Sequence, residues 1–445
     1  MKKKFLSLLI LGLVVSFAAQ AKVIRVSEPS QVKDVLVLEA GDTVILAEGT
    51  WNNLDIRIKS VNGTAVKPVV FMGETAGKTI LTGQSYLKMS GPYVIAENLW
   101  FQDPQSIMST PLEDEGDSVI AFRSDDGEYA TNGVVRNCMM TGFNLPLTLK
   151  EHKWVSLYGT DNTVEHCSFE DKSWLGATVV VWPDTTLARE PHHTIRNNYF
   201  TRPRSILTEN GGSMNCQESI RVGSSHVSLS PAYCVVENNV FERCNGEAEI
   251  ISIKTCSNIV RNNVFLESVG SITLRHGNGS LVENNYFDGR NVKGTGGIRL
   301  VGENQIVRNN YMQDMSGEGG TAAIAVVMGI TNAVLNSYSQ VVNAVIENNV
   351  IIDCNQGMAV NLGTRALQEQ PFANSRVQNN VFISKNQAAL IYNRPAPKDV
   401  IWKDNVFEGG TFEGCTLSSL GATAEAKVKR KPAPIFPNGA SWESK

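Results

Sequence analysis

Five charged side chains in the middle of the chain have the types and spacing of a site that could move protons and bind a cation. Glu247 and Glu249 stand two residues apart, so on a β-strand their carboxylates share one face. Lys254 follows on the same run, Arg275 lies 21 residues after Lys254, and Arg299 lies 24 residues after Arg275. The acids could hold a metal ion, the lysine could act as a base, and the arginines could face an anion.

Oxygen-bearing side chains further upstream could extend the acid pair. The stretch that begins at Asn215 also contains Glu218. Carboxylate and amide oxygens are hard ligands of the kind that Ca²⁺ prefers, so Ca²⁺ is the predicted cofactor. Two plainer interpretations stay open, namely that Glu247 and Glu249 are a solvated surface pair and that Asn215 is a turn asparagine.

A six-residue motif recurs along the chain and defines its architecture. The motif has an aliphatic residue, a charged or polar residue, two asparagines, an apolar residue and then Phe or a similar residue. The second asparagine of the pair falls at positions 198, 239, 263, 285, 310, 349, 380 and 405. The shortest gaps are 22 to 25 residues, which is the period of a β-solenoid coil. Composition and length exclude helical repeats, and a leucine ladder is absent. The pattern predicts an all-β, right-handed parallel β-helix in which Asn239, Asn263, Asn285 and Asn310 stack in one turn column.

The same period places the cations on neighbouring coils. Ile272 and Leu274 are apolar and should point inward, so Arg275 should point outward. By the same alternation Arg299 points outward, and we expect Lys254, Arg275 and Arg299 to stack about 4.8 Å apart in one column. Such a column repels itself unless an anion binds to it.

The acids and the lysine need a local irregularity to reach the same face. Ala248 is expected to point inward between Glu247 and Glu249, whereas Lys254 has the opposite parity. A β-bulge near Ile250 is therefore predicted.

The ends of the chain differ from the repeats. Residues 1–21 have a basic start, an apolar run and a small-x-small site, which predicts a cleaved signal peptide and a periplasmic or secreted protein with no membrane span after cleavage. Residues 22–415 are predicted to form the β-helical catalytic domain, with a capping helix over Ser30 to Leu38. Residues 416–445, rich in Ala, Lys and Pro, are predicted to form a tail that packs on the surface or is partly mobile.

Charge and cysteine content set further limits. A formal net charge of −4 argues against a general nucleic-acid binder, so an anionic partner needs a local basic patch. The eight cysteines are expected to be mostly core thiols, and one disulfide bridge is allowed for. A monomer is expected.

The run Asn-Gly-Glu-x-Glu at 245–249, together with Lys254 and Arg275-His276-Gly277, resembles polysaccharide lyase family 6. This family contains alginate lyases and chondroitinase B, and its fold is the right-handed parallel β-helix. The resemblance implies Lys254 as Brønsted base and Arg275 as Brønsted acid. The block from 215 to 223 looks more like the alginate lyases.

The resemblance also implies roles for the remaining site residues. Asn215, Glu247 and Glu249 would be calcium ligands with Glu218 near them, and Gln217 is an alternative ligand to Asn215. His276 and Arg299 match positions that contact substrate, and Arg221 is a third predicted substrate contact. His276 could equally be a loop histidine.

The predicted reaction is calcium-assisted β-elimination on alginate. A base removes the C5 proton, the C4–O4 bond breaks, and a 4,5-unsaturated uronate remains. Dermatan sulfate is the alternative substrate, and a non-catalytic carbohydrate-binding β-helix is the non-enzyme alternative. A pectinase-type hydrolase would need clustered outward aspartates, and Asp125-Asp126 is better explained as a turn. Mannuronate or guluronate preference and endo or exo cleavage stay open.

Overall fold

The computed structural model describes residues 20–32, 34–103, 118–144, 151–363, 367–392 and 396–443. Over this part, the chain winds into coils whose strands pair in parallel with those of the coils before and after. Three parallel sheets run along the resulting rod. The predicted fold class, a parallel β-helix, is confirmed.

Sheets 1 and 2 meet at the asparagine turn. The strands of sheet 1 are Val23–Val26, Thr43–Leu46, Val69–Gly73, Val94–Glu97, Val134–Arg136, Thr163–Glu165, Thr194–Arg196, Val235–Glu237, Ile259–Arg261, Leu281–Glu283, Ile306–Arg308, Val345–Glu347, Arg376–Gln378 and Ile401–Lys403. The strands of sheet 2 are Gly49–Asn52, Thr79–Thr82, Trp100–Gln102, Met139–Thr141, Ser168–Glu170, Tyr199–Arg202, Val240–Cys244, Val264–Leu266, Tyr286–Asp288, Tyr311–Gln313, Val350–Ile352, Val381–Tyr392, Val406–Glu413 and Ala422–Thr423.

Sheet 3 carries the candidate site. Its strands are Leu36–Leu38, Asp55–Ser60, Tyr86–Pro92, Ser118–Ala121, Lys153–Leu157, Val179–Val181, Ile220–Val222, Glu249–Lys254, Gly270–His276, Thr295–Leu300, Ile324–Val327 and Gln356–Leu362, followed by the later parts of Val381–Tyr392 and Val406–Glu413. The short strand Ala130–Thr131 pairs with Tyr86–Pro92, and Gly329–Ile330 pairs with Gln368–Gln370 in antiparallel fashion.

The N-terminal cap is smaller than predicted. Instead of a helix over Ser30 to Leu38, the structure has one 3-10 turn, Pro29–Val32, followed by the strand Leu36–Leu38. The strand forms because Leu36 and its neighbours pair in register with Ile58 to Ser60 of the next coil. The other 3-10 turns are Ser225–Val227, Gly319–Thr321 and Leu417–Ser419.

The asparagine column is confirmed. The first asparagine of each pair, such as Asn262 at φ +56°, takes the left-handed turn conformation, and the second points into the coil. Asn239 donates from its backbone N–H and from Nδ2 to Oδ1 of Asn263, both at 3.0 Å, and Asn263 does the same to Asn285. The ladder continues to Asn405.

Stacked phenylalanines fill the interior beside this ladder. Phe200, Phe241, Phe265 and Phe287 lie on successive coils with ring centroids 4.9, 4.8 and 4.5 Å apart. All four rings are buried in the core. The Phe position of the motif therefore sets the side-chain spacing inside the rod.

None of the eight cysteines is bridged, so the one disulfide allowed for by the sequence does not form. Cys138, Cys167, Cys234, Cys244 and Cys354 are buried thiols, as predicted for most of the set. The predicted signal peptide lies outside the described residues, apart from its last two positions. Within the described part, no helix has the length and apolarity needed to cross a membrane.

Residues 424–443, here called the C-terminal strap, run back along the outside of sheet 2. Near its start, the backbone N–H of Ala426 donates to Glu408 at 2.7 Å, and further on that of Gly439 donates to the carbonyl of Asn197 at 2.9 Å. Trp442 packs against Gly77. The strap therefore crosses coils from near the C-terminal end of the rod to near its N-terminal end.

Candidate active site

Three adjacent strands of sheet 3, Glu249–Lys254, Gly270–His276 and Thr295–Leu300, carry the predicted acid, base and cation residues. The predicted bulge is confirmed, since the pairing register shifts between Glu249 and Ile251. Ile250 and Ile251 are consequently both buried in the core. A second shift follows between Ile253 and Lys254, and it sets Lys254 opposite His276.

The predicted column of three cations is wrong. Arg299 is in register with Thr273, not with Arg275, and Lys254 is in register with His276. A register shift between Ile253 and Lys254 causes the first mismatch, and another between Gly270 and Ile272 contributes to the second. The arginines still converge through the reach of their side chains.

Glu249 is the residue on which the two arginines converge. Its Oε1 lies 2.8 Å from Nη2 of Arg299 and 3.8 Å from Nε of Arg275, and its Oε2 accepts from the hydroxyl of Ser252. All three charged side chains are less than a fifth exposed. One shared carboxylate therefore offsets the repulsion between two nearly buried cations.

Glu247 and Glu218 form a more deeply buried acidic pair. Burial, with the nearby Glu218 carboxylate, raises the pKa of Glu247 to about 8, although its Oε1 accepts the backbone N–H of Gln217 at 2.8 Å. Glu218 lies 3.6 Å from Nζ of Lys254 through Oε1, and its buried Oε2 has no hydrogen-bond partner among the described residues. Ala248 does not point inward as predicted, since it is exposed.

Asn215 and Gln217, the two alternative ligands, have different surroundings. Oε1 of Gln217 accepts from the backbone N–H of Ile206 at 2.7 Å, and its Nε2 donates to the carbonyls of Ile206 and Met214 at 2.9 and 2.8 Å. Gln217 is buried and fixes the loop, whereas Asn215 is exposed at the loop surface. The amide of Gln217 is therefore already hydrogen-bonded to the loop backbone.

The donor set fits a hard cation in its chemistry. Within the described residues, Glu218 has a buried carboxylate oxygen without a partner, and burial together with Glu218 raises the pKa of Glu247, so positive charge is scarce around this pair. Over the described ranges, however, no three Asp, Glu, His or Cys side chains converge on one point. Glu249 is turned toward Arg299 and Ser252 instead.

The two other predicted substrate contacts lie on either side of Lys254. Burial, with Arg275 and Lys254 nearby, lowers the pKa of His276 to about 3, so this ring is neutral. Arg221 is nearly buried, with Nη1 3.7 Å from Glu151 and its guanidinium carbon 5.1 Å from the Trp182 ring centroid. Asp125 forms a turn and ion pairs with Lys88 and Arg57, which agrees with the turn interpretation.

Sequence reasoning missed Tyr338. The guanidinium carbon of Arg275 lies 4.3 Å from its ring centroid, which is cation–π distance. Tyr338 belongs to an excursion that reaches back to earlier coils, where the carbonyl of Ser339 accepts from Gly302 and that of Leu335 from Ser228. The long gap between Asn310 and Asn349 was the available signal for this loop.

A parallel β-helix with a lysine, arginines and buried acids on one sheet is an arrangement suited to an enzyme that acts on acidic polysaccharides. The family model for chondroitinase B matches residues 26–431, and the chain therefore belongs to that family, polysaccharide lyase family 6. The resemblance drawn from the sequence is confirmed. No curated protein matches the chain.

Solved structures of family members resemble the chain over nearly all its length. The PL6 family alginate lyase AlyGC is 32% identical with a TM-score of 0.79 over 94% of this chain, and the chain spans 57% of the length of AlyGC. A mannuronic acid specific family 6 lyase from human gut microbiota is 27% identical with a TM-score of 0.76, over 95% of this chain and 97% of that enzyme. A PL6 alginate lyase in complex with a trisaccharide is 22% identical with a TM-score of 0.75, over 94% and 92% of the two chains, and supports the fold alone.

Proposed function

We propose that this protein is an exported, monomeric alginate lyase that cleaves by β-elimination, with Lys254 as the base. One observation carries the proposal: Lys254, Arg275 and Arg299 meet buried carboxylates on one face of sheet 3. The 32% identity to AlyGC, an alginate lyase, supports the choice of polymer. Dermatan sulfate remains the alternative, and it would need added donors for its sulfate.

Lys254 acts on the proton at C5, and Arg275 acts at the departing oxygen O4. The free amine of Lys254 takes the C5 proton, and the electron pair of that bond forms the C4–C5 double bond as the C4–O4 bond breaks. The leaving O4 takes a proton from Arg275 or from a water molecule beside it. Since arginine holds its proton tightly, the main contribution of Arg275 is positive charge next to the departing oxygen.

Glu218 is the acid next to the candidate base. Its Oε1 lies 3.6 Å from the Lys254 amine, which is ion-pair distance. Glu218, Glu247, Glu249 and Asn215 are the residues that would hold Ca²⁺. A bound Ca²⁺ supplies positive charge that offsets these acids and the carboxylate of the sugar. Arg299, His276 and Arg221 then orient the substrate from the same face.

Replacement of Lys254 by alanine tests the base assignment. We expect Lys254→Ala to lower the rate of unsaturated-product formation on alginate by about 10²–10⁴-fold, since general-base catalysis contributes this much. Affinity for alginate should change little, because several cations share the binding. The readout is ultraviolet absorbance of the unsaturated product, and Lys403→Ala, on the exposed face of sheet 1, is the matched control.

The same assay separates the competing functions. New reducing ends without ultraviolet absorbance would mean hydrolysis, and binding without any product would mean a carbohydrate-binding protein. Turnover of dermatan sulfate but not alginate would overturn the choice of polymer. A near-native rate in Lys254→Ala would remove Lys254 from the role of base.

Calcium binding can be measured without any turnover. We expect wild-type protein stripped with chelator to bind Ca²⁺ in a calorimeter and to gain thermal stability from it, and activity to fall in chelator and return with Ca²⁺. Glu247→Ala should lose the binding heat, whereas Glu303→Ala, at an exposed turn, should keep it. Unchanged binding in Glu247→Ala, or full turnover with metal verified absent, would contradict the site.

A further inference from the structure

A second row of side chains leads away from the candidate site along sheet 3. Leu157, Val181, Val222 and Ile253 are in register on four successive coils. The next residues, which face outward, are Tyr158, Trp182, Gly223 and Lys254. Ala121 is in register with Ser156, so Arg123 continues the row beyond Tyr158. Four coil steps of about 4.8 Å separate Arg123 from Lys254, a distance of about 19 Å.

The two rings of this row, Tyr158 and Trp182, form a partly exposed ladder together with Tyr129, which lies beside them. Tyr129 and Tyr158 stack with centroids 5.8 Å apart, and Tyr158 and Trp182 stack at 6.4 Å. The phenol of Tyr129 donates to Asp184 at 3.0 Å, and Nε1 of Trp182 donates to the hydroxyl of Ser156 at 3.2 Å. Partly exposed aromatic edges held in place by such contacts offer apolar surface to the C–H faces of sugar rings at little entropic cost.

Arg123 ends the ladder with a cation that lacks an acidic partner. Its guanidinium carbon lies 4.5 Å from the centroid of Tyr158, and its side chain is partly exposed. Within the described ranges, no carboxylate forms an ion pair with Arg123. The acids that follow it in the chain are already engaged, since Asp125 pairs with Lys88 and Glu128 with Lys59.

Gly223 leaves a gap in the row between Trp182 and Lys254. Its φ is +83°, and a Cβ there would come within 2.4 Å of the Thr255 side chain, so glycine is required. The guanidinium of Arg221, from the same coil as Gly223, lies next to Trp182, with its carbon 5.1 Å from the ring centroid. A polymer that followed the row from Lys254 to Arg123 would therefore pass Arg221 and then the rings.

We propose that Arg123, with Tyr158 and Trp182, forms a distal subsite that binds a uronate several sugars from the point of cleavage. The guanidinium pairs with the uronate carboxylate, and the ring edges contact the sugar. This inference rests on the proposed function for the identity of the polymer. The subsite also sets the direction of the bound polymer, which extends from Lys254 toward the N-terminal end of sheet 3.

Chain-length dependence of binding tests the subsite in a Lys254→Ala background, where no cleavage intervenes. Alginate polymer and an alginate trisaccharide are titrated by calorimetry. We expect Arg123→Ala and Tyr158→Leu each to weaken polymer binding about tenfold and to leave trisaccharide binding unchanged, because a trisaccharide at Lys254 does not extend about 19 Å. Tyr158→Phe, which keeps the ring, should bind as the parent does. Arg376→Ala, an exposed arginine on sheet 1 without an ion pair in the described part, is the charge-matched control.

In the active enzyme, Arg123→Ala should raise KM for polymer about tenfold at nearly constant kcat. Unchanged polymer binding, an equal loss for the trisaccharide, or an equal loss in Arg376→Ala would overturn the subsite. Polymer that binds to Arg123 but is not cleaved by the wild type would overturn the proposed function and leave the subsite standing. Failure of Lys254→Ala to bind alginate at all would overturn both.

Discussion

At the scale of single residues, the acids of the site are not equivalent. Glu249 is satisfied by Arg299, Arg275 and Ser252, whereas Glu218 has a buried oxygen that finds no partner in the part of the chain the structure describes. Glu247 has a raised pKa and one backbone donor. The electrostatic demand for a cation therefore centres on Glu218 and Glu247, and Glu249 also serves to gather the two arginines.

His193 is a buried residue whose charge state the fold controls. Its Nδ1 accepts the backbone N–H of Asn162 at 3.1 Å, so the ring must be neutral at that nitrogen. Full burial lowers the pKa of His193 to about 3. An unfolded chain would titrate this group near 6.5. Between these two pKa values, His193 is protonated in the unfolded state and neutral in the folded state. The free energy of unfolding therefore falls as the pH falls from about 6.5 toward 3.

We expect His193→Asn to reduce the acid sensitivity of folding. Asparagine keeps an acceptor for Asn162 but does not titrate, and the free energy of unfolding should drop between pH 7 and pH 5 by about 2 kcal/mol less than in the wild type. Urea unfolding at both pH values measures this. Exposed His226→Asn is the control and should behave as wild type. Equal pH dependence of His193→Asn and wild type would refute the assignment.

At the scale of elements, the asparagine ladder is the main polar structure inside the coils. Asn263 accepts two hydrogen bonds from Asn239 and donates to Asn285 and to the carbonyl of Val236. Every polar group of its side chain is therefore used. A network of this kind rigidifies the turn only while all its members are satisfied.

We expect Asn263→Leu to destabilise the protein by about 1–3 kcal/mol or more, because buried donors of Asn239 and the carbonyl of Val236 lose their partners. Asn262→Gly is the matched control in the same turn. Its φ of +56° suits glycine, so its effect should be a few tenths of a kcal/mol. Chemical denaturation of both variants decides this, and equal losses would contradict a special role of the second asparagine.

The motif could be predicted from sequence because its chemistry is local and repeated. A second ladder at another turn was missed, since it uses mixed residues: Asn162, His193, Asn258, Ser280 and Gln305 all accept a backbone N–H from a neighbouring coil. Several types of acceptor serve there, so no single residue type marks this turn in the sequence. A third ladder lies on sheet 1. The side chains at the second motif position alternate in charge from coil to coil and form ion pairs, as Glu237 does with Arg261.

The residues of the site were predictable, but their arrangement was not. Lys254, Arg275 and the acids follow from residue type and period. Two bulges within one strand shift the register, and this cannot be counted from the sequence. Tyr338 reaches Arg275 through a loop whose length is visible in the repeat gaps but whose direction depends on tertiary contacts.

At the scale of the whole molecule, the three sheets present three different outer surfaces. Sheet 1 carries the ladder of alternating charges, and sheet 3 carries the candidate site with its aromatic row. Sheet 2 has an outer apolar stripe of Val240, Val264, Tyr286, Tyr311 and Ile352, which the strap covers with Val428, Ala433 and Phe436. A chain with a net charge of −4 can therefore still offer cations to an anionic polymer on one side.

The strap can cover sheet 2 only after the coils that it crosses have been synthesised. It is synthesised after every coil that it crosses, so the stripe around Tyr286 and Tyr311 is open to water while the coils assemble. Only after that can the backbone of Lys431 form hydrogen bonds with the phenols of Tyr286 and Tyr311. Arg430 can then bind the carboxylates of Asp314 and Asp353. The residues of the candidate site all precede the strap in the chain. The candidate site on sheet 3 can thus form before the strap covers sheet 2.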